Sequence, residues 1–277
     1  MGMPDESADS HYDEGLTAGM RGELSEAVNH FREAIHLDKS FSAAYHQLGK
    51  CYARAGKHEK AVEVLREVVK NRPRQMPARI DLAHALGLAG HGDEARNQLK
   101  QVLALEPSNA KALLEFARVE FYQGEWAAAL AQAQAALTQG ATNFGVLYLL
   151  GRAAKLAGDS DLAGRTFAKA ADLIEKTLDI DEERPEGSYL QGELAFVQEQ
   201  YDKALDHYRV AEERAQMGRS YLAYGEDFTM KDVLGKQGLC YQRLGQADDA
   251  RKMGDRIGAF APSDKLGKVL RETPSTE

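Results

Sequence analysis

Four side chains able to bind anions recur at one interval: Lys50, His84, Arg118 and Arg152 lie 34 residues apart in turn. Around Lys50, His46 and Arg54 fall at i−4 and i+4, so that in a helix the three share one face. Lys111, Tyr122, Tyr148 and Lys155 lie close to the same register, and two acids, Asp81 and Glu115, interrupt it. Leu16 precedes the row and Glu193 ends it. Cations gathered on one wall raise the on-rate and affinity for an acidic ligand, an effect that weakens with salt. Arginine grips carboxylates at two points, and tyrosine adds apolar contact area. The competing reading is a solvated helix face, with some of these cations paired to Asp81 and Glu115.

Catalytic chemistry has no comparable signal. The eight histidines form no His-Glu-x-x-His pair, and no Cys/His cluster has metal-ligand spacing, so neither a metal nor a cofactor is expected. The stretch Gly158–Thr166, GDSDLAGRT, resembles a phosphate loop only loosely. It has five residues between its glycines and Arg165 in place of lysine. A Ser–His–Asp site need not be contiguous, but nothing points to one. The 277 residues carry a net charge of −8, which argues against nucleic acid as the main partner. Cys51 and Cys240 are too far apart for a zinc motif or a disulfide framework, and read as two reduced, buried thiols. No apolar run is long enough to span a bilayer. MGMPDESADS has no signal-peptide core, and Glu6 stands where N-myristoylation requires Ser or Thr. A soluble, cytoplasmic protein is expected.

The elements that would position the cations are read most clearly over residues 42–75. Tyr45, Leu48, Gly49 and Tyr52 fall on one helical face, Gly56 breaks the helix, and Ala61, Leu65 and Val68 face a second helix that Pro73 ends. Gly49 and Ala61 let the two helices approach, and larger side chains there would overpack the contact at roughly 1–3 kcal/mol. The alanine column continues through Ala27, Ala61, Ala95, Ala129 and Ala163, then Ala204 and Ala250. A small-residue column reads Gly15, Gly49, Ala83, Ala117, Gly151, Gly192 and Gly238; a turn column reads Gly22, Gly56, Gly90, Gly124, Gly158, Glu199 and Gly245.

These columns resemble the tetratricopeptide repeat (TPR), with Tyr45 in place of the signature tryptophan and Leu65 in place of the phenylalanine. The resemblance implies an all-α, right-handed superhelical solenoid of about seven helix-turn-helix units. Their approximate bounds are 8–41, 42–75, 76–109, 110–143, 144–177, 185–218 and 231–264. Insertions fall at 178–184 and 219–230, a disordered tail at 1–7, and a short capping helix with a disordered end at 265–277. In the first unit His11 and Glu14 occupy columns that should be apolar, which suits a polar cap. Gly254 replaces a large residue and predicts a thin last core, covered by Leu266, Val269 and Leu270. Asn109 and Asn143 read as helix caps. Trp126 reads as packing, and Tyr221, Tyr224 and Phe228 read as aromatics folding back on helices.

The resemblance further implies that first helices line a concave surface, where His46, Lys50, Arg54, His84, Lys111, Arg118, Tyr122, Tyr148, Arg152 and Lys155 would form a basic, aromatic groove. The expected function is a non-enzymatic scaffold that binds an acidic peptide or protein segment. Some family members hold chaperone tails in a clamp of lysine, asparagine and arginine; this chain lacks the asparagines and has Asp81 in a clamp position. The alternatives are a homo-oligomer that self-assembles through 219–230, and an enzyme.

Overall fold

The computed structural model describes residues 7–178, 184–223 and 226–274. They contain fifteen α-helices and one two-stranded hairpin, in two compact units. The first unit holds the residues up to 142 together with 149–164; the second holds 143–148 together with those from 165 onward.

In the first unit α1 (Ala8–Met20) pairs with α2 (Leu24–Leu37), α3 (Ser42–Arg54) with α4 (His58–Asn71), α5 (Met76–Leu88) with α6 (Gly92–Leu105), and α7 (Ala110–Tyr122) with α8 (Trp126–Thr138). Helices α9 (Phe144–Leu156) and α10 (Ser160–Leu178) contribute residues to both units. Small residues permit the pairing: Ala27, Ala61, Ala95 and Ala129 are all fully buried. A methyl group at Gly49 would stand 2.5 Å from Leu65 Cγ, and one at Gly15 would stand 2.7 Å from Phe31 Cε1. Each hairpin turns on a left-handed glycine, as at Gly56 with φ 71°. There Lys57 N–H donates to the Tyr52 carbonyl at 2.8 Å, which satisfies one of the orphan carbonyls of α3. Asn109 caps α7, accepting from Ala112 N–H at 2.9 Å. Trp126 packs edge-on against Phe121 of its own pair, with centroids 5.2 Å apart.

In the second unit Asn143 caps α9 by accepting from Val146 N–H at 3.0 Å. The unit then has α11 (Glu186–Val197) against α12 (Tyr201–Arg214), and α13 (Met230–Arg243) against α14 (Ala247–Phe260) and α15 (Lys265–Arg271). Glu199 occupies the turn column and takes the left-handed conformation, φ 63°, that glycine adopts elsewhere. Cys51 and Cys240 are free and buried, and burial pushes the Cys240 thiol up to about 12.

The structure departs from the sequence expectations at the second insertion, in the last core and at both ends, while Phe228 folds back on a helix as expected. The second insertion is a β-hairpin, β1 (Ser220–Ala223) against β2 (Glu226–Thr229), with Tyr221 opposite Phe228. Phe228 is buried between Tyr189, 3.9 Å away and nearly parallel, and Tyr221 at 5.4 Å. The last core is not thin at Gly254. A methyl group there would stand 2.7 Å from Arg271 N and 2.8 Å from the Gly267 carbonyl, so the glycine is what lets α15 dock. Leu270 is fully buried by that docking, whereas Val269 is exposed and covers nothing. Thr273, expected in a disordered end, accepts from Arg251 through its carbonyl and from Gln242 through its hydroxyl. Ser7, expected in the tail, caps α1. The remaining expectations for 1–6, 179–183, Tyr224 and 275–277 lie outside the described residues.

Candidate functional site

Helix α3 packs beside α5, and α5 beside α7, so first helices of successive pairs touch directly. The buried Leu48 and Gly49, Ala83, and Ala117 turn one side of each helix to its partner. The residues near 46, 50, 81, 84, 111, 115 and 118 are thereby left on the other side.

Two acid-centred clusters tie this face together. Asp81 of α5 is held between neighbours: its Oδ2 is 2.9 Å from His46 Nε2 of α3, and its Oδ1 accepts from Lys111 Nζ of α7 at 2.6 Å. Glu115 of α7 pairs through Oε2 with His84 Nδ1 of α5 at 2.8 Å, and its Oε1 lies 3.7 Å from Arg118 Nε. Burial works to raise both carboxyl pKa values. The His46 hydrogen bond and the Lys111 ammonium outweigh it at Asp81, which falls from 3.8 to about 2. The charges of His84 and Arg118 outweigh it at Glu115, which falls from 4.5 to about 2. Burial alone makes His84 harder to protonate, but Glu115 overcomes this and its pKa is raised.

The remaining sequence-picked residues divide. Arg152 stacks on Phe121, its guanidinium carbon 4.5 Å from the ring centroid. Arg54 donates to the Gly19 carbonyl at 3.1 Å and so secures the last turn of α1. Lys50 and Lys155 are exposed, and Tyr122 is 62% exposed. Tyr148 is different. It belongs to the second unit, is buried, stacks on Phe144 and donates its hydroxyl to Glu193 at 2.9 Å. Its apolar ring and satisfied hydroxyl make it a packing residue, which corrects its assignment to the groove. Glu193, where the cation row ends, is buried and also accepts from Tyr208 at 2.7 Å and Lys236 at 2.8 Å. Burial pushes its pKa up, but Lys236 and the two phenols outweigh this and hold it low.

One convergence of ligating side chains has no metal-ligand spacing along the chain. Among the described residues, His11, Glu14 and His30 of the first pair bring three ligating atoms together from two helices. The usable signal was the pair of polar residues, His11 and Glu14, in apolar columns.

Family models described as tetratricopeptide repeat match residues 20–84 and 55–115 in one case, and 114–176 and 155–219 in another. Over 88 residues the chain is 34% identical to DnaJ homolog subfamily C member 3 of Gallus gallus, which covers 32% of this chain and 17% of that protein. The chain therefore spans less than a fifth of that relative's length. A solved tetratricopeptide repeat protein from Parabacteroides merdae superposes with TM-score 0.62 at 14% identity, covering 95% of this chain and 96% of the other. MamA from Desulfovibrio magneticus superposes with TM-score 0.52 at 22% identity, over 64% of this chain and 99% of the other. At these identities the structural likeness concerns the fold. Among the described residues no helix is long and apolar enough to cross a membrane.

Proposed function

We propose, from the premise that this chain belongs to the tetratricopeptide repeat family, whose fold serves as a protein-interaction scaffold, that it is a non-enzymatic scaffold holding an acidic protein segment on the first-helix face of its first unit. The observation that carries this reading is the disposition of charge. Asp81 and Glu115 are sunk among cations and held as anions by them. Lys50 of α3 and Lys155 of α9 are exposed, Lys111 is half-exposed while paired with Asp81, and Tyr122 is an exposed aromatic. A strip whose acids are buried and whose lysines face solvent presents a positive potential although the chain is acidic as a whole. Arg118 and Arg152 act behind that strip, one against Glu115 and one on Phe121.

The test reverses the exposed lysines and leaves the buried pairs intact. Lys50→Glu with Lys155→Glu should weaken binding of an acidic peptide panel about tenfold or more at low salt. The deficit should shrink as salt rises. Lys60→Glu with Lys100→Glu, which changes exposed lysines on the second helices α4 and α6, makes the same change in net charge and should leave affinity nearly unaltered. Equal losses from the two pairs would reduce the effect to net charge and remove the face as a site.

A further inference from the structure

The first pair carries a side-chain triangle that helix packing does not require. His11 Nδ1 of α1 and His30 Nδ1 of α2 are 3.4 Å apart. Glu14 Oε2 lies 3.3 Å from the first nitrogen and 3.1 Å from the second. In the repeat that follows, 34 residues on, the same three positions hold Tyr45, Leu48 and Val64. Those side chains pack against the apolar clusters of the first unit. Three packing positions on the facing sides of two helices have thus been given to a histidine, a carboxylate and a histidine.

Tetrahedral coordination with bonds of ~2.0–2.1 Å sets ligand atoms about 3.3–3.4 Å apart. The three edges, 3.1, 3.3 and 3.4 Å, are close to those of one face of such a tetrahedron. We propose that His11, Glu14 and His30 form a binding site for a divalent transition cation of the zinc type, with two imidazole nitrogens, one carboxylate oxygen and a fourth position for water. The donor set matches that class: imidazole suits zinc and its neighbours, whereas calcium and magnesium favour oxygen alone. Glu26 Oε1 stands 3.8 Å from Nε2 of His30, beyond hydrogen-bond distance and near enough to add negative charge beside that ring. The cleft around the triangle is lined by Asp13, Glu23 and Glu26 as well, with Arg21 as the opposing charge. Such a surround concentrates cations. Both histidines are about one-quarter exposed and Glu14 about half, so an ion reaches them without unfolding the pair. Bound there, the ion ties α1 to α2 and stabilises the folded pair by an amount that grows with the logarithm of its concentration above the dissociation constant.

The experiment titrates the full chain, freed of metal by chelator, with zinc chloride in a calorimeter, and separately with cobalt as a spectroscopic substitute. One zinc per chain, the intense visible spectrum of tetrahedral cobalt and a zinc-dependent rise in melting temperature are expected. His11→Asn, His30→Asn and Glu14→Gln should each lower zinc affinity by more than the ~10-fold that loss of even an outer-shell partner costs. His91→Asn, on a histidine between α5 and α6, should change nothing. Circular dichroism in chelator shows whether each variant folds, and Glu14→Gln keeps both rings should a histidine variant fail. Absence of binding, an octahedral cobalt spectrum, or affinity unchanged in Glu14→Gln would overturn the site.

Discussion

Glu115→Gln isolates the buried pairing that holds α5 to α7. The carboxyl falls from its ordinary 4.5 to about 2, which corresponds to roughly 3 kcal/mol of folded-state stabilisation at ~1.4 kcal/mol per pH unit. Because the folded pKa is depressed, this stabilisation is complete above the unfolded value of 4.5 and is lost as pH falls through about 2. His84 has the opposite sign. Its raised pKa gives stability that is complete below the unfolded 6.5 and fades as pH rises through the folded value. At about pH 6 both contributions are present, so the wild type should exceed Glu115→Gln by roughly 3 kcal/mol. Near pH 3 the excess should shrink to about 1 kcal/mol, because the wild-type carboxyl is then paying to stay ionised. The assay is urea unfolding followed by helical circular dichroism across that range, fitted with a repeat-by-repeat scheme where transitions separate. A difference of the same size at both ends of the range would refute the claim that the stabilisation comes from a buried ionised carboxylate.

Two further expectations concern the second unit. Glu199→Gly should stabilise it by about 1 kcal/mol, since the left-handed backbone there strains a residue with a Cβ; a lower denaturation midpoint would contradict this. Phe228→Ala should cost about 3–5 kcal/mol by opening the stack with Tyr189 and Tyr221, and hydrogen exchange should then quicken in the hairpin and α11 before it does in α1 to α8.

The repeat was legible in the sequence because the contacts that define it recur. The fully buried Ala61, Gly49 against Leu65 and the left-handed turn at Gly56 answer one local demand, the close approach of two consecutive helices, and each recurrence at 34 residues repeats the same physical test. Periodicity also put Lys50, His84 and Arg118 on one face, since adjacent repeats carry equivalent residues to neighbouring positions. Periodicity could not say which charges would be consumed. That Asp81 is claimed by both His46 and Lys111, and Glu115 by His84, depends on side chains reaching across helices some thirty residues apart. Tyr148 had the register of a groove residue, yet its burial was decided by Glu193, 45 positions away. The hairpin at Ser220–Thr229 and the close crossing at Gly254 break the repeat, so no column announced them. The triangle of His11, Glu14 and His30 was visible along the chain only as polar residues out of place; distances near 3 Å between their ligating atoms exist because two helices lie side by side.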